Sequence, residues 1–136
     1  GSLEAHRPLG ADVRANAVAA AFRDPRFAPL AVHEFHATVV EVSLLAASEA
    51  LACEDEQDAL AQLRPGIDGV ILEAGWRRAT FLPQVWDQLP EPREFLAALK
   101  HKAGLPAEFW SPGVRVARYT VAKFEERTAA AAGAAR

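Results

Sequence analysis

The chain predicts an α+β fold, a mainly antiparallel sheet flanked by helices, from three features of its 136 residues. A β-branched run from Thr38 to Leu45 reads TVVEVSLL. The segments Gly69–Glu73 and Trp76–Leu82 flank an Ala74-Gly75 turn and make a β-hairpin. An amphipathic stretch from Pro92 to Ala103 separates that hairpin from a last strand, Val114 to Phe124. Strand segments far apart in the chain, with helices scattered irregularly among them, are the α+β pattern.

Taken in order, the first ten residues, GSLEAHRPLG, have no helical period, and Gly1 to Glu4 reads as the tail of a strand or the turn after one. A helix follows from about Ala11 to Phe22, with Val13, Ala17, Ala20 and Ala21 on one small-residue face that permits close approach to a sheet. It stops at Asp24-Pro25, because the proline ring disfavours helical geometry at the residue before it. Phe27 to His36 is a connector with room for one helical turn. In the Thr38–Leu45 strand, Val40, Val42 and Leu44 share one face, and Val39, Glu41, Ser43 and Leu45 the other, mixed one.

Asp55 to Leu63 is a short helix ended by Arg64-Pro65-Gly66. Pro83 stands at the first position of another, ending near Leu89, where a proline is tolerated. In the Pro92–Ala103 helix, Phe95, Leu96, Leu99 and Ala103 form the apolar stripe. Lys100, His101 and Lys102 complement the dipole of its last turn, and Gly104 closes it. Leu105-Pro106 begins a turn carrying Phe109 and Trp110, and the last strand changes phase near Arg118, the mark of a bulge. Phe81, Val85, Phe95, Leu96 and Leu99 are the expected core. Residues 127–136 read as an alanine-rich tail behind a single domain over residues 1–126.

Composition bounds the function. At 51% hydrophobic and 24% charged residues the chain is globular, with enough length for one core. A net charge of -3 gives no electrostatic reason to expect nucleic acid. The single cysteine, Cys53, excludes an internal disulfide or a Cys-rich zinc site and fits a reduced cytoplasm. No apolar run approaches the roughly 18 residues of a membrane span, and no basic-then-apolar leader precedes the fold. The chain contains no methionine, so the expectation is a start inside a longer product or after processing. Walker, Gly-x-Gly-x-x-Gly and Gly-x-Ser-x-Gly signatures are missing.

Seven stretches, GSLEAHRPLG, NAVAAAFRDPRF, EVSLL, LRPGIDGVIL, RRATFLPQVWDQLP, FLAALKHKAGL and FWSPGVRVARYTV, together resemble the AMMECR domain family in order and spacing. The resemblance covers about Gly1 to Glu126. It implies a single AMMECR-like domain lacking its N-terminal segment. It also implies a genetic setting beside a Memo-like protein and a radical S-adenosylmethionine enzyme, in bacteria and archaea, with no cofactor of its own and an unknown small-molecule or protein substrate. The family hallmark is Leu-Arg-Gly-Cys-Ile-Gly; Gly1 matches its last glycine, so the hallmark arginine and cysteine fall before this chain, and Cys53 is not that cysteine.

Against that background six residues are candidates. Glu4 directly follows the hallmark turn and could orient the arginine or act as base beside a thiolate nucleophile; a surface glutamate after a turn is the plain alternative. Asn16 interrupts a helix of Ala and Val, where an amide needs partners if buried; it could hold the hallmark loop, cap a neighbouring strand or face water. Arg26, fixed by Asp24, could anchor an anion or merely close a surface turn. Glu41 among valines reads as a half-buried carboxylate needing Arg26 or another cation. Thr80 and Gln84 sit where a strand turns into a helix start, a place that can hold an anion or simply end a strand. These six are expected to converge on one concave surface next to Gly1. His33, Glu34 and His36 have no third ligand at a recognisable spacing, so no metal is assigned. The pair Trp76 and Trp86 reads as core and rim packing rather than a base-stacking platform.

Overall fold

The structure, a computed structural model, describes residues 1–126; the tail expected over residues 127–136 lies outside the described residues. The elements in order are α1 (Leu9–Phe22), α2 (Val32–Phe35), β1 (Glu41–Leu45), β2 (Glu49–Ala50), α3 (Glu56–Gln62), β3 (Gly69–Ala74), β4 (Arg77–Phe81), a 3-10 turn (Pro83–Asp87), α4 (Pro92–Lys102), β5 (Val114–Tyr119) and β6 (Val121–Glu125). The α+β class holds. The chain divides into two compact units, one of Gly1–Leu44 with the residues from Lys123 onward, the other of Leu45–Ala122.

The second unit is built on a four-stranded antiparallel sheet of order β2-β5-β3-β4. β3 is central and buried from Gly69 to Leu72, which is why GVIL reads as a continuous apolar run. Leu72 lies opposite Ala79 on one side and Val116 on the other, and Val70 lies opposite Phe81. These side chains meet Ala59 and Leu63 near α3, Phe95, Leu96 and Leu99 on α4, and Trp86 of the 3-10 turn in one cluster. Phe95, Leu96 and Leu99 are fully buried, as the stripe required, while Phe81 and Val85 are partly buried and pack against the cluster.

The local signals act where they are strongest. Register pairs Ala74 with Arg77, so Gly75 and Trp76 are the two hairpin residues, one later than the expected Ala74-Gly75. Gly75 has φ 63 and supplies the left-handed first position of a tight hairpin, leaving Ala74 in the ladder. α4 closes with a paired C-terminal motif, the Leu105 N–H on the Lys100 carbonyl at 2.8 Å and the Gly104 N–H on the His101 carbonyl at 2.9 Å. Asp55 caps α3 by accepting the Asp58 N–H at 2.9 Å.

Two expectations are corrected. The strand expected from Val114 to Phe124 is two strands in different sheets, parted at Thr120, whose carbonyl accepts the Ala46 N–H at 2.9 Å; the phase change near Arg118 marks this exit rather than a bulge. The strand expected from Thr38 begins at Glu41, because the Thr38 hydroxyl donates to the Glu34 carbonyl at 2.7 Å and holds its residue against α2. Lys100 lies in the last turn of α4, as expected, but is buried there. It is 1% exposed, and its Nζ donates to Glu56 at 2.6 Å and to the Ala107 carbonyl at 2.9 Å, joining α3, α4 and the following loop. β2, a two-residue strand, carried no signal of its own.

In the first unit β1 and β6 pair as a two-stranded sheet. The Leu30 N–H donates to the Ala21 carbonyl at 2.8 Å and ties the connector back onto α1. Neither α1 nor α2 contains a buried residue.

Two measurements check the core of the second unit. Leu99→Ala is expected to cost about 2–5 kcal/mol in denaturant unfolding, since it opens a cavity in the dry cluster; a loss under about 0.5 kcal/mol would displace α4 from the core. Glu56→Ala is expected to cost about 3 kcal/mol by leaving the Lys100 ammonium buried with one partner. Lys100→Met, which leaves the partly solvated Glu56 carboxylate to water, should cost less. The reverse order would mean that packing, not charge, is what Lys100 supplies.

Candidate functional site

In the first unit Asn16 and several residues near the start of the chain gather around one carboxylate. Asp12, in the first turn of α1, accepts the Ser2 hydroxyl at 2.7 Å, Arg7 Nε at 2.8 Å and Asn16 Nδ2 at 3.2 Å. Asn16 Nδ2 also reaches Ser2 Oγ at 3.1 Å, and His6 Nε2 lies 3.8 Å from Asp12. The i,i+4 spacing of Asp12 and Asn16 puts both on one helix face, and Pro8 starts the helix so that Ser2 to Arg7 folds back across that face. The Arg7 and Ser2 hydrogen bonds hold the Asp12 carboxyl below the usual carboxylate range. The network orders the segment that carries Glu4, whose carbonyl lies 3.1 Å from His6 Nδ1. Sequence reading picked out Asn16 for its oddity but missed Ser2, Arg7 and Asp12; the signal available was the Asp12–Asn16 spacing.

The other two candidates of this unit form ion pairs. Arg26 closes on Asp24 through Nε at 3.0 Å and Nη2 at 2.7 Å, and its own N–H adds a bond at 3.0 Å. The guanidinium lies 5.5 Å over the Phe27 ring. This is the closed surface turn among the two readings of Asp-Pro-Arg-Phe. Glu41 is exposed rather than half-buried, and its cation is Lys123, 3.9 Å away, not Arg26. A two-stranded sheet has too little surface to bury a carboxylate between its strands and a second layer.

Thr80 and Gln84 belong to the second unit. The Thr80 hydroxyl donates to the Val70 carbonyl at 2.9 Å and lies 2.8 Å from the Tyr119 hydroxyl, which also donates to the Phe81 carbonyl at 3.2 Å. Burial pushes the Tyr119 phenol up from its ordinary value. The Thr80 carbonyl accepts Lys102 Nζ at 2.8 Å. Thr80 is therefore engaged in pinning β4 to β3 and β5. Gln84 lies exposed on the 3-10 turn. Trp86 is core, as expected, but Trp76 is 84% exposed at the hairpin tip, with the Arg77 guanidinium 4.4 Å over its ring.

Two further groups have plain structural accounts. Among the described residues no cluster of three His, Cys, Asp or Glu side chains is placed to hold a metal. Within α2, Glu34 accepts the Ala31 N–H at 3.1 Å and His36 packs edge-on against Phe35. Cys53 is half-buried, and burial with the nearby Asp58 and Asp55 charges pushes its thiol up, away from thiolate character. Among the described residues no helix is long and apolar enough to cross a membrane.

The AMMECR1 family profile matches residues 1–124. A Methanocaldococcus jannaschii protein is 38% identical over 125 residues, covering 88% of this chain and 60% of the relative. A Methanothermobacter thermautotrophicus protein is 41% identical over 116 residues, 81% of this chain and 58% of the relative. A Thermotoga maritima protein is 36% identical over 117 residues, 86% and 62% of the two. The crystal structure of an uncharacterized protein from Pyrococcus horikoshii superposes with a TM-score of 0.73 at 35% identity, covering 82% of this chain and 55% of that one. The chain thus spans about 60% of the length of the curated relatives it matches.

The Asp24–Arg26 pair gives a pH test. Hydrogen bonds from the Arg26 side chain and backbone lower the Asp24 carboxyl from 3.8 to about 2. A lowered folded value means that the pairing helps the fold above the ordinary carboxylate range and is lost as pH falls through about 2. Carboxyl NMR titration should place the Asp24 midpoint near that value, and Arg26→Ala should return it toward 3.8. An unshifted wild-type midpoint would mean that the turn is open in solution.

Proposed function

Because the chain belongs to the AMMECR1 family, we propose that it is part of an enzyme or enzyme subunit that works in the cytoplasm beside a Memo-like protein and a radical S-adenosylmethionine enzyme. In this reading the nucleophile is the hallmark cysteine, which family resemblance places just ahead of the position of Gly1. The observation that carries it is the network of Asp12 with Ser2, Arg7 and Asn16. It holds the residues after the hallmark glycine in a fixed, polar, partly buried arrangement, as a loop presenting a thiolate requires. Glu4 is the candidate base or orienting carboxylate on that loop, and Asn16 is its positioning residue. The substrate is a small molecule or a protein. Thr80 is a structural member of the sheet of the second unit, and Gln84 is a surface candidate for partner or substrate contact.

A non-catalytic reading, in which the protein presents a substrate or partner surface, draws support from the apolar side chains that the first unit leaves exposed, Phe22, Val32 and Phe35.

The two readings separate on the thiol of a complete family protein that carries the hallmark. Alkylation by iodoacetamide across pH should show a midpoint well below the ordinary thiol value of about 8.5. Asn16→Leu should move it upward, and Glu4→Gln should change the rate while circular dichroism stays the same. A midpoint near 8.5 that neither variant moves would end the enzymatic reading and leave the scaffold one.

A further inference from the structure

We draw no further inference here: the strongest candidate, the shallow apolar depression of the first unit between Phe22, Leu30, Val32 and Phe35, is an unpartnered apolar face, and nothing in the structure shows what covers it.

Discussion

Trp86 places two demands on the second unit: its ring must be dry, and its N–H must keep a partner once water is gone. Both are met, and much of the unit follows from how. The ring stacks on Phe95 with centroids 3.7 Å apart and planes 7° apart, which fixes the 3-10 turn against α4. The indole N–H donates to the Asp68 carbonyl at 2.7 Å, which fixes the same turn against the entry to β3. Asp68 is itself fully buried, and its carboxylate is satisfied by the Arg64 N–H at 2.8 Å and by the Arg64 guanidinium at 2.7 and 3.0 Å. Arg64 and Asp68 therefore close the loop between α3 and β3 over a polar knot that would be costly to leave half made. Next to that loop, Gly69 runs directly under the Tyr119 ring, where an added Cβ would fall 2.2 Å from a ring carbon. The glycine is what lets the aromatic lie flat across the sheet.

The first unit is ordered by different means. None of its helical residues is buried, so the hydrophobic term that dominates the second unit contributes little to these helices. Its observed order comes from short polar links: Asp12 collecting Ser2, Arg7 and Asn16, Asp24 clasping Arg26, Glu34 capping Ala31, and the Glu126 N–H on the Val40 carbonyl at 2.8 Å. Such links are weak where water competes for the same groups. They define a local shape without supplying a core. The proposed reactive loop would then sit on polar scaffolding, where a carboxylate such as Asp12 can set geometry and local charge together.

What could be read from residues alone follows the same division. The amphipathic stripe of α4, the Gly75 hairpin and the Gly104 closure were legible because each is a strong local signal with one structural solution. The continuous strand from Val114 was misread because β5 and β6 are both β-prone. Their separation at Thr120 depends on two different pairing partners, which no local pattern carries. The burial of Lys100 was not legible for a similar reason: its neighbours His101 and Lys102 are exposed, while its own partner Glu56 lies 44 residues away. Of the candidate site, Asn16 stood out because an amide is conspicuous in an alanine-rich helix. Asp12 looked like an ordinary first-turn acid, and its role depends on the fold-back of Ser2 and Arg7. Glu41 was overread, since alternation on a strand shows which face a carboxylate takes and not whether anything covers that face.

These assignments narrow where chemistry can reside. A nucleophile at neutral pH needs thiolate character or an adjacent base. Cys53 lacks it, since burial and two nearby aspartates disfavour the charged form. The Thr80 hydroxyl spends its proton on the Val70 carbonyl. The Tyr119 phenol is buried and pushed up, with its hydrogen bonds inside the sheet. Each of these groups is held by the fold for the fold's own sake. The polar groups around Asp12 differ in kind: they sit on a partly exposed surface, combine a hydroxyl, an amide, a guanidinium and an imidazole, and gather on one carboxylate. Within the first unit, the start of α1 is therefore where the proposed reading is best tested.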